Sequence, residues 1–191
     1  ILSTGVSTIA DIELALSILP ENTIVLHCVT AYPAPEGECN VMCVPVLSAG
    51  FGVLTGISDH TMDPAFIPAL SVVLGGCVIE KHFTLNRSGG GLDDPVALTP
   101  GQFKEMTDTV RLVGKMSPDD GLEFLVEKYS KQRVICAMGT GVKRLSDSER
   151  SSYRTTNRSI VAVRDIEEGS IIEPGAVALL RSEKNLKPGL S

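Results

Sequence analysis

The first 116 residues alternate between two kinds of segment, which differ in the spacing of their apolar residues. Short β-branched runs end in polar residues, and a stretch with apolar residues at helical spacing follows each of them. Alternation of strands and helices every ~25–30 residues is typical of parallel βαβ units in an α/β protein. The pattern predicts four such units, with strands at Ile1-Leu2, Ile24-Leu26, Val53-Leu54 and Val78-Ile79.

A helix is predicted after each of these strands. The first carries Asp11 and Glu13 in its first turn, where acidic side chains stabilise the positive end of a helix. In parallel units the residues that follow the strands meet at one edge of the sheet, which is where such folds keep their chemistry. The predicted helices cover Ile9–Leu19, Val41–Ala49, Pro64–Leu74 and Pro100–Lys115.

The sequence changes character after residue 116. The turn-forming run Ser117–Gly121 ends the helical pattern, and a short charged helix is predicted at about Leu122–Lys131. The stretch Gly139–Thr156 is rich in Ser, Arg and Gly, as linkers are. We therefore assign residues 117–156 to a linker with an insertion.

A small β-rich unit is predicted for residues 157–191. Its strands are expected at Arg158–Val163, Ile171-Ile172 and Val177–Leu180. So short a stretch buries too little surface to form a core alone, so we expect only the start of a domain. Because the sequence lacks an initiator Met and begins inside a predicted strand, we expect it to be part of a longer protein.

The composition argues against nucleic-acid-binding and membrane-spanning proteins. The 191 residues carry a net charge of −6, which gives no basic surface for nucleic acid. Apolar runs stay below the ~18 residues of a membrane span. Five cysteines, an odd number, are typical of reduced thiols in a cytoplasmic protein. The sequence therefore predicts a cytoplasmic protein with no nucleic-acid or membrane partner.

Two similar tripeptides end neighbouring predicted strands: Ser58-Asp59-His60 and Glu80-Lys81-His82. On adjacent parallel strands ~4.8 Å apart, two such histidines can reach one ion. Imidazole nitrogen is a good ligand for Mn, Fe, Co or Zn, and two protein ligands leave positions for water or substrate. The alternative is that each histidine is a polar residue that caps its strand.

Other polar residues at strand ends suit an anionic substrate. Ser3 and Ser58 offer hydroxyl groups to a phosphate, although Ser-Thr-Gly is also a common turn. Glu80 is placed to move a proton, or else to form a salt bridge with a neighbouring Lys or Arg. Gly89-Gly90-Gly91 lacks the Lys-Ser/Thr of a P-loop, which argues against nucleotide binding.

Four motifs in this order resemble the second half of the N-acetylneuraminate, legionaminate and pseudaminate synthase family. They lie at Ile1–Gly5, Leu26–Pro35, Gly56–Thr61 and Val78–Leu85, and Arg158–Ala162 resembles the opening of the family's antifreeze-like domain. The implied fold is the C-terminal half of a TIM (β/α)8 barrel (residues 1–116), a linker, and the start of a small β-rich antifreeze-like (SAF) domain.

The resemblance implies an enzyme that condenses phosphoenolpyruvate with an N-acyl amino sugar similar to N-acetylmannosamine. The products would be a nonulosonic acid and phosphate. It implies a divalent metal, usually Mn²⁺, with Mg²⁺ or Co²⁺ possible. It further implies a homodimer in which the SAF domain of one subunit closes the active site of the other.

The resemblance also places the reacting groups. His60 and His82 match the family's metal ligands, and Glu80 matches a catalytic glutamate. Ser3 and Ser58 match hydroxyls that bind phosphoenolpyruvate.

Four further residues match the family's sugar site: Thr30, Tyr32, Asp93 and Arg181. Arg181 would act in the partner subunit's site, and its alternative is a solvated surface residue. Thr30 stands where relatives often carry Asn or Ser. The loop Gly90–Asp94 also departs from the family's usual Pro-Gly-Pro-Asp-His, so the sugar contacts are expected to differ.

Two other functions stay open at this point. The chain could be a non-catalytic fragment or binding module that keeps the ligand residues. It could also belong to another phosphoenolpyruvate-condensing barrel, such as those that make deoxy-octulosonate or deoxy-heptulosonate phosphates, although the SAF segment argues against this.

Overall fold

The computed structural model describes residues 1–156 and 158–181. The chain divides into two compact units, Ile1–Ser148 and the residues from Glu149 onward, and each is described by itself. The first unit is built on a four-stranded parallel sheet with the strand order β1-β2-β3-β4. Its strands are β1 (Leu2–Ser3), β2 (Val25–Cys28), β3 (Thr55–Asp59) and β4 (Val78–Lys81).

The register of the sheet brings the polar strand ends together. Cys28 of β2 lies beside Ser58 of β3, and Ser58 lies beside Glu80 of β4. The third strand begins two residues later than predicted and runs on through Asp59, so Ser58 lies inside a strand rather than after one. This shift follows from burial, since all five residues of β3 are buried.

Seven helices are described, and the first four follow the predicted order with boundaries moved by up to two residues. Local capping accounts for two of the boundaries. Thr8 and Asp11 form a reciprocal capping box at the start of α1, and Gly52 ends α2 in the left-handed conformation. The helices are α1 (Ile9–Ile18), α2 (Cys43–Phe51), α3 (Phe66–Val73), α4 (Pro100–Val113), α5 (Pro118–Tyr129), α6 (Lys131–Met138) and α7 (Asp147–Thr156).

The assignment of residues 117–156 to a linker was wrong for α5 and α6. Leu125, Val134 and Ala137 are buried in the same hydrophobic cluster as Ile57 of β3 and Phe66 of α3. The sequence concealed this packing because each helix buries only two residues, and charged residues cover the exposed face of α5. The two helices therefore form part of the first unit.

Strands β3 and β4 approach each other closely at Gly56. A Cβ atom at this position would lie 2.0 Å from the carbonyl oxygen of Val78. Only glycine therefore permits the pairing of β3 with β4 that sets the spacing of the two strand ends.

The second unit contains an antiparallel pair, β5 (Arg158–Ala162) and β6 (Val177–Arg181). The strand predicted at Ile171-Ile172 is not formed. Both side chains are largely exposed, and the preceding residues form a turn in which the Ser170 amide donates to the Glu167 carbonyl. The predicted extent of this domain, residues 157–191, includes residues 157 and 182–191, which lie outside the described residues.

Two chemical features complete the description. Within the described part of the chain the five cysteines form no disulfide. None of the described helices is both long and apolar enough to cross a membrane.

Candidate active site

A cavity of about 410 Å³ opens where the parallel strands end. Every site residue predicted from the sequence contributes to its wall except Asp93 and Arg181. The position agrees with the general rule that parallel α/β folds bind ligands at the carboxyl ends of their strands. The cavity is lined by Ser3, Gly5, Cys28, Thr30, Tyr32, Ser58, His60, Glu80, Lys81 and His82.

The rings of His60 and His82 stack with their centroids 5.3 Å apart. His60 is only 7% exposed, and its Nδ1 lies 2.9 Å from the carbonyl oxygen of Val29. Because a carbonyl oxygen only accepts, Nδ1 carries the proton and Nε2 keeps its lone pair. Burial lowers the pKa of His60, which favours the neutral imidazole that metal ions require.

Each imidazole of the pair keeps a nitrogen with which it could bind a divalent ion. The Nε2 atom of His82 is buried without a hydrogen-bond partner, and an unpartnered buried nitrogen is costly unless a ligand satisfies it. Among the described residues no group of three or more His, Cys, Asp or Glu side chains is arranged to hold a metal. The chain thus offers two imidazole ligands, and other ligands would come from water, substrate or residues beyond those described.

Tyr32 covers the two histidines from the side of the β2–α2 loop. Its ring centroid lies 4.2 Å from that of His60 and 5.7 Å from that of His82, and the residue is about half exposed. The phenol therefore faces both the cavity and solvent, which suits contact with a hydroxylated substrate.

Glu80 accepts hydrogen bonds from two serine hydroxyls on other strands. Ser58 Oγ lies 2.7 Å and Ser3 Oγ 3.4 Å from its Oε1. Among the ion pairs of the described residues none includes Glu80, so the alternative of a salt bridge is not supported within this part of the chain. The carboxylate and both hydroxyls thus form one polar wall of the cavity.

A buried ion pair joins the two residues that directly precede the histidines in sequence. Lys81 Nζ donates to Asp59 Oδ2 over 2.6 Å and to the Thr61 carbonyl over 2.7 Å, and both charged side chains are 1% exposed. Asp59 in turn accepts from the Thr61 amide and hydroxyl. Lys81, which precedes His82, therefore clamps the turn that carries His60.

We expect Lys81→Met to lower the free energy of unfolding of the complete protein by about 3–5 kcal/mol, because Asp59 would remain as an unpaired buried charge. Urea unfolding measures the loss. The exposed pair of Lys104 with Asp108 provides a matched control, and Lys104→Met should cost less than about 1 kcal/mol. Adding Asp59→Asn to Lys81→Met should restore part of the stability. Equal losses of unfolding free energy for Lys81→Met and Lys104→Met would show that the buried pair of Lys81 with Asp59 does not stabilise this turn.

Two predicted residues lie outside the cavity wall. Asp93 Oδ2 is 4.0 Å from His82 Nδ1, so the Gly-rich loop does bring this carboxylate to the edge of the site. Arg181 is the last residue of β6 in the second unit, where it is exposed. The structure thus brings Asp93 close to the predicted group and leaves the role of Arg181 as a prediction.

Three residues of the cavity wall received no role from the sequence: Gly5, Cys28 and Lys81. A Cβ atom on Gly5 would lie 1.9 Å from Thr30 Oγ1, so a larger residue there would displace the Thr30 side chain from the cavity wall. The Sγ atom of Cys28 lies 3.8 Å from His60 Nδ1. All three lie within the sequence motifs that contain the predicted site residues, and this was the signal from which they could have been found.

Comparison with known proteins identifies relatives of this chain. A model of the NeuB family matches residues 1–120. The N,N'-diacetyllegionaminic acid synthase of Campylobacter jejuni is 35% identical over 187 residues, which is 95% of this chain and 49% of the relative. The chain spans about half the length of the curated relatives it matches.

Two solved structures share the fold. The spore coat polysaccharide biosynthesis protein SpsE of Bacillus subtilis is 30% identical, with a TM-score of 0.77 over 98% of this chain and 51% of its own. An N-acetylneuraminic acid synthetase from Leptospira borgpetersenii, in complex with citrate, is also 30% identical, with a TM-score of 0.52 over 69% of this chain and 49% of its own. The predicted α/β class with a parallel sheet is confirmed.

Proposed function

Because the chain belongs to the NeuB family, we propose that the complete protein condenses phosphoenolpyruvate with an N-acyl amino sugar to give a nonulosonic acid and phosphate. The observation that carries the proposal is the single cavity that gathers two stacked imidazoles, a serine-bound carboxylate and a tyrosine at the strand ends. Two relatives at 30–35% identity are named a legionaminic acid synthase and an N-acetylneuraminic acid synthetase, which supports a nonulosonic acid as the product.

The reaction requires one C–C bond to form and one C–O bond to break. C3 of phosphoenolpyruvate attacks the aldehyde carbon of the open-chain sugar, whose oxygen gains a proton. Water then adds at C2, and phosphate leaves from the same carbon. Carbon, oxygen and phosphorus balance with one water consumed.

We assign a separate role in these steps to each group of residues in the cavity. Ser3 and Ser58 bind the phosphate or carboxylate of phosphoenolpyruvate through their hydroxyls, since both residues line the cavity, one from β1 and the other from β3. Glu80, which accepts from both hydroxyls, moves a proton as the water adds. Thr30 and Tyr32 contact the sugar from the β2–α2 loop.

His60 and His82 would hold the divalent ion, with Mn²⁺ proposed and Mg²⁺ or Co²⁺ as alternatives. When bound, such an ion supplies Lewis acidity that polarises the sugar aldehyde. Asp93, beside His82, is left to bind sugar hydroxyls.

We further propose that the four parallel strands are half of a (β/α)8 barrel. In the sheet β1 and β4 are edge strands, and closing a barrel removes such edges. The antiparallel pair β5–β6 would open an SAF domain.

The test is an assay of the complete protein with phosphoenolpyruvate and a panel of N-acyl hexosamines, scored by release of phosphate and by the nonulosonic acid formed. Turnover with one sugar of the panel would also identify the substrate. Binding of phosphoenolpyruvate without turnover by any sugar would instead favour the binding module.

The role proposed for Arg181 predicts complementation between subunits. Arg181→Ala should weaken sugar binding by roughly 1.5–3 kcal/mol, the value of a charge-assisted hydrogen bond, and should raise KM for the sugar more than for phosphoenolpyruvate. In a swapped homodimer, mixing Arg181→Ala subunits with His60→Ala subunits puts both lesions in one site and leaves the other intact. Activity should therefore partly recover in heterodimers. No recovery in heterodimers shown to have formed would place Arg181 outside the partner's site.

A further inference from the structure

Helix α6 carries an arginine that joins two separate loops of the candidate active site. Arg133 Nε and Nη2 donate to the two carboxylate oxygens of Glu36, each over 2.7 Å. Nη2 also donates to Asp63 Oδ2 over 2.8 Å. Paired donation to one carboxylate fixes the orientation of a guanidinium as well as its position.

Two aromatic rings hold the guanidinium in this orientation. The Cζ atom of Arg133 lies 4.5 Å from the ring centroid of Phe66 and 4.9 Å from that of Tyr129. Stacking of this kind supports a planar guanidinium but not the ammonium group of a lysine to the same degree. The hydrogen bond to Glu36 raises the pKa of Arg133, so the group stays charged.

Both acceptors belong to loops that carry cavity residues. Glu36 follows Tyr32 by four residues and begins a 3-10 turn. Asp63 follows His60 by three residues, and its other oxygen accepts from the amides of Ala65 and Phe66 at the start of α3. Arg133 therefore binds one carboxylate on each of the two loops.

The two loops also contact each other at the cavity. The Ala34 amide donates to the His60 carbonyl over 3.0 Å, and the rings of Tyr32 and His60 are in contact. The two loops are thus joined in two places: by their own contacts at the cavity, and by Arg133 away from it.

We propose that Arg133 is a positioning residue for the sugar side of the cavity, because it holds the loops of Tyr32 and His60 in register from outside. The inference rests on the proposed function for its kinetic consequence, whereas the link between the two loops does not depend on it. Arg133 is not among the residues that line the cavity.

Helix α6 packs on the core through residues other than Arg133. The link that Arg133 makes between the two loops, here called the tether, can therefore be removed without removing the packing of the helix. Val134 and Ala137 are buried in the core, and the Val41 amide donates to the Ala137 carbonyl. The side chain of Arg133 is 36% exposed, and those of Glu36 and Asp63 are 28% and 20% exposed. Removing the guanidinium therefore leaves carboxylates that water can still reach.

The experiment compares Arg133→Gln with Arg133→Lys and with Val134→Ala in the complete protein. Val134→Ala weakens the packing of the same helix and leaves the loop anchor in place. We expect Arg133→Gln to raise KM for the sugar about 10-fold, the usual scale for a supporting residue. KM for phosphoenolpyruvate should change less than two-fold, because Ser3 and Ser58 lie on strands.

The matched variants separate positioning from stability. Arg133→Lys should recover part of the loss, and Val134→Ala should lower the melting temperature at least as much as Arg133→Gln with KM for the sugar unchanged. Parallel changes of KM and melting temperature in both variants would overturn the proposal, as would an unchanged KM in Arg133→Gln.

Hydrogen exchange tests the tether without any turnover. Arg133→Gln should speed amide exchange in residues 29–38 and 60–66 together, whereas Val134→Ala should not. If the wild-type protein turns over no sugar, the proposed function fails and this measurement alone decides the tether. Unchanged exchange in both loops would overturn it.

Discussion

Replacing either His60 or His82 by alanine is expected to abolish metal-dependent turnover of the complete protein. The two imidazoles are the ligands that the described cavity offers, and one alone does not hold an ion in place. Lewis-acid assistance is worth several kcal/mol, so kcat should fall by more than about 10³-fold.

The measurement pairs kinetics with binding. Mn²⁺ affinity is determined by calorimetry after chelation and dialysis, and kcat is measured with Mn²⁺ restored. His27→Gln is the matched control, since His27 is buried on β2, bonds to the Cys39 carbonyl and lies outside the cavity wall. This variant should bind Mn²⁺ as the wild type does. Wild-type affinity and activity in His60→Ala or His82→Ala would show that the pair is structural.

Replacing Glu80 by glutamine is expected to lower kcat by about 10²–10⁴-fold, the usual contribution of a positioned acid–base group. Glutamine keeps the shape and still accepts from Ser58 and Ser3 through its carbonyl oxygen, but it does not carry the proton. KM for both substrates should change far less than kcat.

Steady-state kinetics across pH checks this expectation. Glu123→Gln, an exposed change on α5, provides a control that should leave kcat unaltered. A wild-type kcat in Glu80→Gln would assign the carboxylate to holding the two serines instead of moving protons. Loss of kcat with a matching loss of melting temperature would assign it to stability.

The local sequence pattern was sufficient to predict the four parallel βα units, because the periodicities of strands and helices extend over only a few residues. The β-branched runs and helical spacing predicted the order of all four strands, although β3 begins just after the predicted Val53-Leu54. The equivalent positions of His60 and His82 predicted that they would meet. Parallel strands bring their carboxyl ends to one edge, so a shared edge follows from order along the chain. The roles of these residues stay predictions.

The sequence pattern did not predict the structure correctly where an element packs on a partner far away in the chain, or where its apolar face is narrow. The helix predicted at about Leu122–Lys131 is confirmed by α5, but its packing in the core is not predicted, and neither is α6. Each of the two helices buries only two residues, such as Leu125 in α5, so the apolar pattern is weak. The strand at Ile171-Ile172 was predicted from β-branched residues that prove to be exposed. Propensity without a partner strand does not form a ladder.

By itself, the sequence determined the order of the βα units, the edge where polar residues gather, and the family. Only the tertiary structure decided which polar group each residue meets. Lys81 pairs with Asp59 and leaves Glu80 to the serines, and Arg133 reaches Glu36 across 97 residues of chain. The physical reason is that helical and strand periodicity are short-range properties. The partner of a charged side chain instead depends on register and packing between elements that are far apart in sequence.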